Sequence, residues 1–166
     1  MLVDSLKNTG FAVIRNHGID NKLIKDVYNE WKEFFKSDKK FDYLFDVEKQ
    51  DGYFPMKSEN AHGYSCKDLK EFFHLYLPWG RIPKDICKNT IHIRNELIDI
   101  GTIILNWIDD NSPEEIKNCF SIPLKDMIKN SQNNLFRILH YPPIKGDEEN
   151  DALRAAAHGD INLITI

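Results

Sequence analysis

The stretch Arg154-Ala155-Ala156-Ala157-His158-Gly159-Asp160-Ile161-Asn162-Leu163-Ile164-Thr165-Ile166 decides how this chain is read. It has the pattern of two short extended pieces around His158 and Asp160. In a strand, residues i and i+2 project to one face about 6 to 7 Å apart along the chain, so an imidazole nitrogen and a carboxylate oxygen can converge on one ion. Gly159 keeps the intervening position uncrowded. Imidazole plus carboxylate is a donor set that suits Fe(II), and a second His would complete a facial triad with three coordination positions open. Taken alone, an H-x-D pair is also the end of a strand with a satisfied histidine, so the rest of the chain must decide.

Working outward, Leu135 to Tyr141 is a near-continuous apolar run closed by Pro142-Pro143, which predicts a strand. The acidic segment Gly146 to Asp151 separates it from the H-x-D stretch and reads as a solvated loop. Upstream, Ile93, Leu97, Ile100, Ile104 and Trp107 step by four, three, four and three, predicting a helix from Pro83 to about Asp110 that Gly101 weakens slightly. Ser112-Pro113-Glu114-Glu115 has the form of a cap opening a short helix, and Pro123 to Lys129 makes another turn or two. Leu69 to Leu77 reads as extended, after an irregular stretch from Ser37 to Tyr64. Behind Asp20, a candidate N-cap, Leu23, Ile24, Val27, Tyr28, Trp31, Phe34 and Phe35 share one helical face, whose aromatic stripe reads as packing. Gly10 to Arg15 has the composition of a strand and ends at the turn Asn16-His17-Gly18. Helices thus come first, a sheet begins late, and no internal repeat is present.

Composition narrows the function classes. The chain has 166 residues, 42% hydrophobic and 29% charged, which bounds it to about one globular domain and excludes collagen-like or wholly disordered classes. The formal charge is −4 and no basic stripe would track phosphates, so nucleic acid is not an expected partner. Its apolar runs, such as Ile103-Ile104-Leu105, are too short to cross a bilayer, and no signal-peptide order opens the chain, so no membrane partner is expected. Cys66, Cys87 and Cys119 are odd in number and form no C-x-x-C pair, which fits a reducing, cytoplasmic compartment. There is no G-x-S-x-G elbow and no glycine-rich phosphate loop, so hydrolase and nucleotide readings drop out. His17, His62, His74, His92 and His140 read as structural or solvent-facing, with His140 on the opposite side of its strand from Tyr141.

Four stretches, in order, resemble the isopenicillin N synthase-like branch of the 2-oxoglutarate/Fe(II)-dependent dioxygenase superfamily. Gly10-Phe11-Ala12-Val13-Ile14-Arg15-Asn16-His17-Gly18-Ile19 is similar to that family's opening strand and turn. Gly52-Tyr53-Phe54-Pro55, Glu59-Asn60-Ala61 and Asp68-Leu69-Lys70-Glu71-Phe72-Phe73 resemble its middle signposts. Asn134-Leu135-Phe136-Arg137-Ile138-Leu139-His140-Tyr141-Pro142-Pro143 looks like the strand that precedes its metal-binding H-x-D, and the fourth stretch is the H-x-D itself.

The resemblance implies an α+β chain: a double-stranded β-helix, or jelly roll, incomplete here and preceded by a mostly helical N-terminal region. Residues 1–125 would form that N-terminal region and residues 126–166 the first strands of the core. His158 and Asp160 would be iron ligands. Tyr141 falls where many relatives bind the distal carboxylate of 2-oxoglutarate with a tyrosine hydroxyl, although a tyrosine closing a core strand reads the same way. Leu139 replaces an Asn that many plant members carry. Ile166 precedes the place where the family supplies its distal His and the Arg-x-Ser that pairs with 2-oxoglutarate. The expectation is a piece of a longer enzyme, the alternative a degenerate product keeping only the first half of the fold. The implied activity is oxidation of a small organic substrate with O2, Fe(II) and 2-oxoglutarate, giving succinate and CO2. An Fe(II) oxidase that dispenses with 2-oxoglutarate and a catalytically silent binding module are the alternatives. The substrate and the oligomeric state are not legible.

Overall fold

Asp20 starts the first long helix as a capping residue should, its carboxylate accepting the Lys22 N–H at 2.8 Å. In the computed structural model, which describes residues 2–59, 66–129, 131–146, 152–160 and 162–166, that helix is α2 (Asn21–Lys36), preceded by α1 (Leu2–Thr9). A 3-10 turn at Asp38–Tyr43 leads to β1 (Gly52–Phe54), and β2 (Glu71–Leu75) follows. Then come α3 (Cys87–Asp110), the short α4 (Glu114–Lys117) and α5 (Leu124–Ile128), and β3 (Phe136–His140).

The three strands form one antiparallel sheet with β2 in the centre. Tyr53 lies opposite Phe73, and Glu71, Phe72, Phe73, His74 and Leu75 lie opposite His140, Leu139, Ile138, Arg137 and Phe136. Alternation therefore sorts the side chains into two faces. One carries Tyr53, Phe73, Leu75, Phe136 and Ile138 and is covered by α2. Trp31 sits 5.1 Å and Phe34 5.7 Å from the Phe73 ring, centroid to centroid. Each such buried side chain contributes roughly 1.5–3 kcal/mol. Trp31 also donates its indole N–H to Thr90 Oγ1 at 2.9 Å, which joins α2 to α3. The other face carries Phe54, Phe72, His74, Arg137 and Leu139.

Gly52 is the one glycine whose backbone the sheet demands. Its φ is +105°, and an added Cβ would stand 2.5 Å from the Tyr43 carbonyl oxygen. Beside it, the fully buried Asp51 receives the Arg81 guanidinium, Nη2 to Oδ1 at 3.0 Å.

Helices α2 and α3, the two short helices and β3 lie where their periodicity predicts. Several expectations need correction. The sheet does not begin late, because β1 and β2 are interleaved with the helices and give β3 a partner along one edge. Residues 10–15 form no strand: the segment pairs with nothing among the described residues and leaves Phe11 79% and Val13 90% exposed. Its terminal turn is present, with Asn16 and Gly18 at positive φ. Tyr28 is 74% exposed, because the sheet and α3 meet α2 along the Leu23–Val27–Trp31–Phe34 line and not around its flank. Trp107 is exposed too, since the buried line of α3 runs through Ile93, Gly101, Ile104 and Leu105. Residues 154–166 belong to no ladder among the described residues. His62 and the acidic residues 147–151 lie outside the described residues.

Candidate metal centre

The segment carrying His158 and Asp160 is laid against the entry to β2. The Leu69 N–H donates to the Leu153 carbonyl at 2.8 Å, and the Ala156 N–H donates to Asp68 Oδ1 at 3.2 Å. Arg154 Nη2 reaches the Pro142 carbonyl at 3.4 Å, which brings the segment to the end of β3. Ala156 itself is buried, 4% exposed.

From that fixed point the backbone orients the imidazole. His158 Nδ1 lies 2.7 Å from the Ala156 carbonyl oxygen. A carbonyl only accepts, so Nδ1 carries a proton, and in the neutral ring Nε2 is left with its lone pair. Nε2 lies 3.5 Å from Asp160 Oδ1. Donors to a first-row divalent ion sit about 2.0–2.2 Å from it, which puts two neighbouring donors about 3 Å apart. The pair therefore suits such an ion with a small closing movement. Both side chains are reachable from solvent, 49% and 60% exposed. Among the described residues no third His, Cys, Asp or Glu joins them. The two side chains do approach each other, but not from one face of a strand. Residues 156–160 are in no strand, and the turn is held by the Ala156 carbonyl and the Asp68 carboxylate.

Behind Asp68 runs a line of paired charges. Lys70 Nζ donates to Asp68 Oδ2 at 2.8 Å and to Glu59 Oε2 at 3.0 Å, and Glu59 Oε2 also accepts from Arg137 Nη2 at 2.6 Å. Burial works against the ammonium of Lys70, yet its hydrogen bonds to Asp68 and Glu59 outweigh it and hold its pKa above the ordinary lysine value. The Glu59 carboxyl is likewise disfavoured by burial and still held below the usual range by Lys70 and Arg137. Arg137 lies with its guanidinium carbon 4.2 Å from the Phe72 ring centroid. On the same face His74 packs against the stacked pair Phe54 and Phe72, and burial, reinforced by Arg137, pushes its pKa down to about 4. Asp68, Lys70 and Glu59 were visible in the sequence only as parts of motifs. Their signal is an i, i+2 acid–base pair at the threshold of an aromatic strand, where solvated charges are out of place.

Tyr141 directly follows β3 and is half-buried, and alternation carried one residue past the strand puts it on the side of Arg137 and Leu139. His140 belongs to the α2 side, stacked on Phe35 at 5.2 Å with its Nδ1 2.7 Å from Glu71 Oε1. His17 accepts the Ile19 N–H within its turn, and His92 lies on the surface 3.6 Å from Glu96.

Residues 1–95 match the family described as the N-terminal region of non-haem dioxygenases in morphine synthesis. The chain belongs to this family, within the 2-oxoglutarate/Fe(II)-dependent dioxygenase superfamily and its isopenicillin N synthase-like branch. Among solved structures it is similar to a candidate oxygenase from Shewanella oneidensis, with 48% identity and a TM-score of 0.84 over 98% of this chain and 57% of that one. It is also similar to a candidate 2OG-Fe(II) oxygenase family protein from Caulobacter crescentus, with 28% identity and a TM-score of 0.70 over 97% of this chain and 55% of that one. The chain thus spans little more than half the length of either structure. No curated protein matches it. Among the described residues, no helix is long and apolar enough to cross a membrane.

Proposed function

We propose that this chain supplies the N-terminal region and two iron ligands of a non-haem Fe(II)- and 2-oxoglutarate-dependent oxygenase acting on a small organic substrate. The observation that carries the reading is the His158 Nε2 to Asp160 Oδ1 approach of 3.5 Å, with Nδ1 bonded to the Ala156 carbonyl. Family membership supplies the metal and cosubstrate class. Residues 1–125 then form the mostly helical region that opens the enzyme and contribute β1 and β2, and residues 126–166, starting from β3 on the same sheet, begin a jelly-roll core. That core is completed by strands and a third ligand from elsewhere in the protein.

Bound Fe(II) supplies the means of activating O2, with 2-oxoglutarate going to succinate and CO2. The residues of this chain do the rest. His158 offers one neutral nitrogen and Asp160 one carboxylate oxygen, and the Ala156 carbonyl holds the imidazole in the ligating tautomer. Tyr141, at the end of β3, donates its hydroxyl to the distal carboxylate of the cosubstrate. A reducing, cytoplasmic compartment suits a ferrous centre.

The test uses the full protein under anaerobic conditions. Stoichiometric Fe(II) uptake should be lost in Asp160→Ala, and full occupancy in that variant would refute the ligand assignment. With iron and O2 present, 2-oxoglutarate should yield succinate. Oxidation of a substrate without succinate would replace this reading with a 2-oxoglutarate-independent Fe(II) oxidase.

A further inference from the structure

We infer that Asp68, a residue outside the metal pair, is a positioning residue for it. The Asp68 carboxylate fixes Ala156, and Ala156 aims His158 Nε2 at Asp160. The inference rests on the function proposed above and deepens it.

Three observations carry it. First, Asp68 is 3% exposed and divides its two oxygens between different tasks, Oδ1 accepting the Ala156 N–H at 3.2 Å and Oδ2 accepting from Lys70 at 2.8 Å. Second, Ala156 is engaged through both of its backbone polar groups, which lie in successive peptide units. Its N–H is held by Asp68, and its carbonyl accepts from His158 Nδ1 at 2.7 Å, so the ring orientation is set one residue from the carboxylate clamp. Third, the clamp does not float. Lys70 and Glu59 tie Asp68 to Arg137 on β3, while the Leu69 N–H to Leu153 carbonyl bond runs beside it at 2.8 Å.

Among the described residues the segment has no strand partner to define its path, so these contacts stand in for a ladder. Without the Asp68 oxygen, the buried Ala156 N–H loses its acceptor and the carbonyl behind it is free to rotate. The imidazole then loses the contact that keeps Nδ1 protonated and Nε2 presented. Glu59 contributes to the same charged line but touches neither Ala156 nor His158, which separates holding the fold from aiming the ligand.

The experiment measures Fe(II) affinity and thermal stability of the full protein for wild type, Asp68→Ala, Asp68→Asn, Glu59→Gln and Asp160→Ala, and records the 15N shifts of His158 in the metal-free protein at a pH where the ring is neutral. Asp68→Ala should weaken Fe(II) binding by about 10–100-fold, the usual effect of removing an outer-shell partner. Asp68→Asn keeps an oxygen for Ala156 and should lose stability while retaining most of the affinity. Glu59→Gln, which leaves the Asp68 to Ala156 contact in place, should lose stability and weaken Fe(II) binding clearly less than Asp68→Ala does. Wild-type His158 should be the Nδ1–H tautomer. Affinity that falls in step with stability across all these variants, or an Nε2–H tautomer in the wild type, would overturn the inference, and the tautomer remains decisive if Asp68→Ala does not fold. If Asp160→Ala itself leaves Fe(II) binding intact, the ligand assignment has failed. If only the Asp68 variants are silent, the positioning role alone has failed.

Discussion

Glu71 and His140 face each other across the β2–β3 ladder, and their side chains meet, His140 Nδ1 lying 2.7 Å from Glu71 Oε1. Glu71 is 4% exposed and also accepts from Lys40 Nζ at 2.9 Å and from the Tyr53 hydroxyl. Three donors from a 3-10 turn and two different strands thus converge on one buried carboxylate. Removing it leaves Tyr53 and His140 without this acceptor and Lys40 with the Phe35 carbonyl alone. Glu71→Leu should therefore destabilise by about 3–5 kcal/mol, the usual result of breaking a buried ion pair from one side. Denaturant titration at neutral pH measures it, and a loss under about 1 kcal/mol, the level of an exposed pair, would refute the placement.

The same carboxylate gives stability an acid limb. Burial disfavours the charge on Glu71, but its hydrogen bonds from Tyr53, His140 and Lys40 win and hold its pKa below the ordinary glutamate value of 4.5. A depressed carboxylate contributes stability that is present above its unfolded pKa and lost as the pH falls through its folded one. Glu71→Gln should flatten the stability profile below pH 4.5, as followed by chemical denaturation across an acid series.

His74 acts in the neighbouring window. Its pKa is pushed from 6.5 to about 4 by burial against Phe54 and Phe72 and by Arg137. Between those values the unfolded chain takes up a proton that the folded chain refuses, so stability falls as the pH drops from 6.5 toward 4. His74→Leu should lose less stability than wild type on that descent. Parallel profiles for the two proteins would contradict the assignment.

Thr90→Val removes the acceptor of the Trp31 indole N–H while preserving volume. An unsatisfied buried donor costs about 1–3 kcal/mol, and this variant should show that loss with near-native fluorescence of the folded state. Trp31→Phe in the Thr90→Val background should recover part of the deficit, since the orphaned donor is then gone.

Tyr141→Phe tests the cosubstrate. Loss of one hydrogen bond to a charged group, worth about 1.5–3 kcal/mol, should raise the KM for 2-oxoglutarate by roughly tenfold or more and leave Fe(II) affinity unchanged. An unchanged KM would return Tyr141 to a purely packing role.

Helices and β3 were legible because their signals are local. The Leu23 to Phe35 spacing, the Asp20 cap and the apolar run 135–141 each state an element without reference to the rest of the chain. The sheet order was not, since the three-residue β1 is too short for a period and is defined by its pairing with β2. Residues 10–15 failed in the opposite way: their composition is that of a strand, but a strand also needs a neighbour to accept its hydrogen bonds. At the site, His158 and Asp160 could be named from spacing and family resemblance, whereas the carbonyl of Ala156 and the carboxylate of Asp68 could not. A backbone oxygen has no letter in the sequence, and a contact across 88 residues has no period.

The clamp on Ala156 is made wholly by residues that precede it, Asp68 and, through it, Lys70 and Glu59. Synthesis runs in that direction too. A growing polypeptide would reach His158 with its docking place already built, so the proposed iron-binding pair can be seated as soon as it is synthesised.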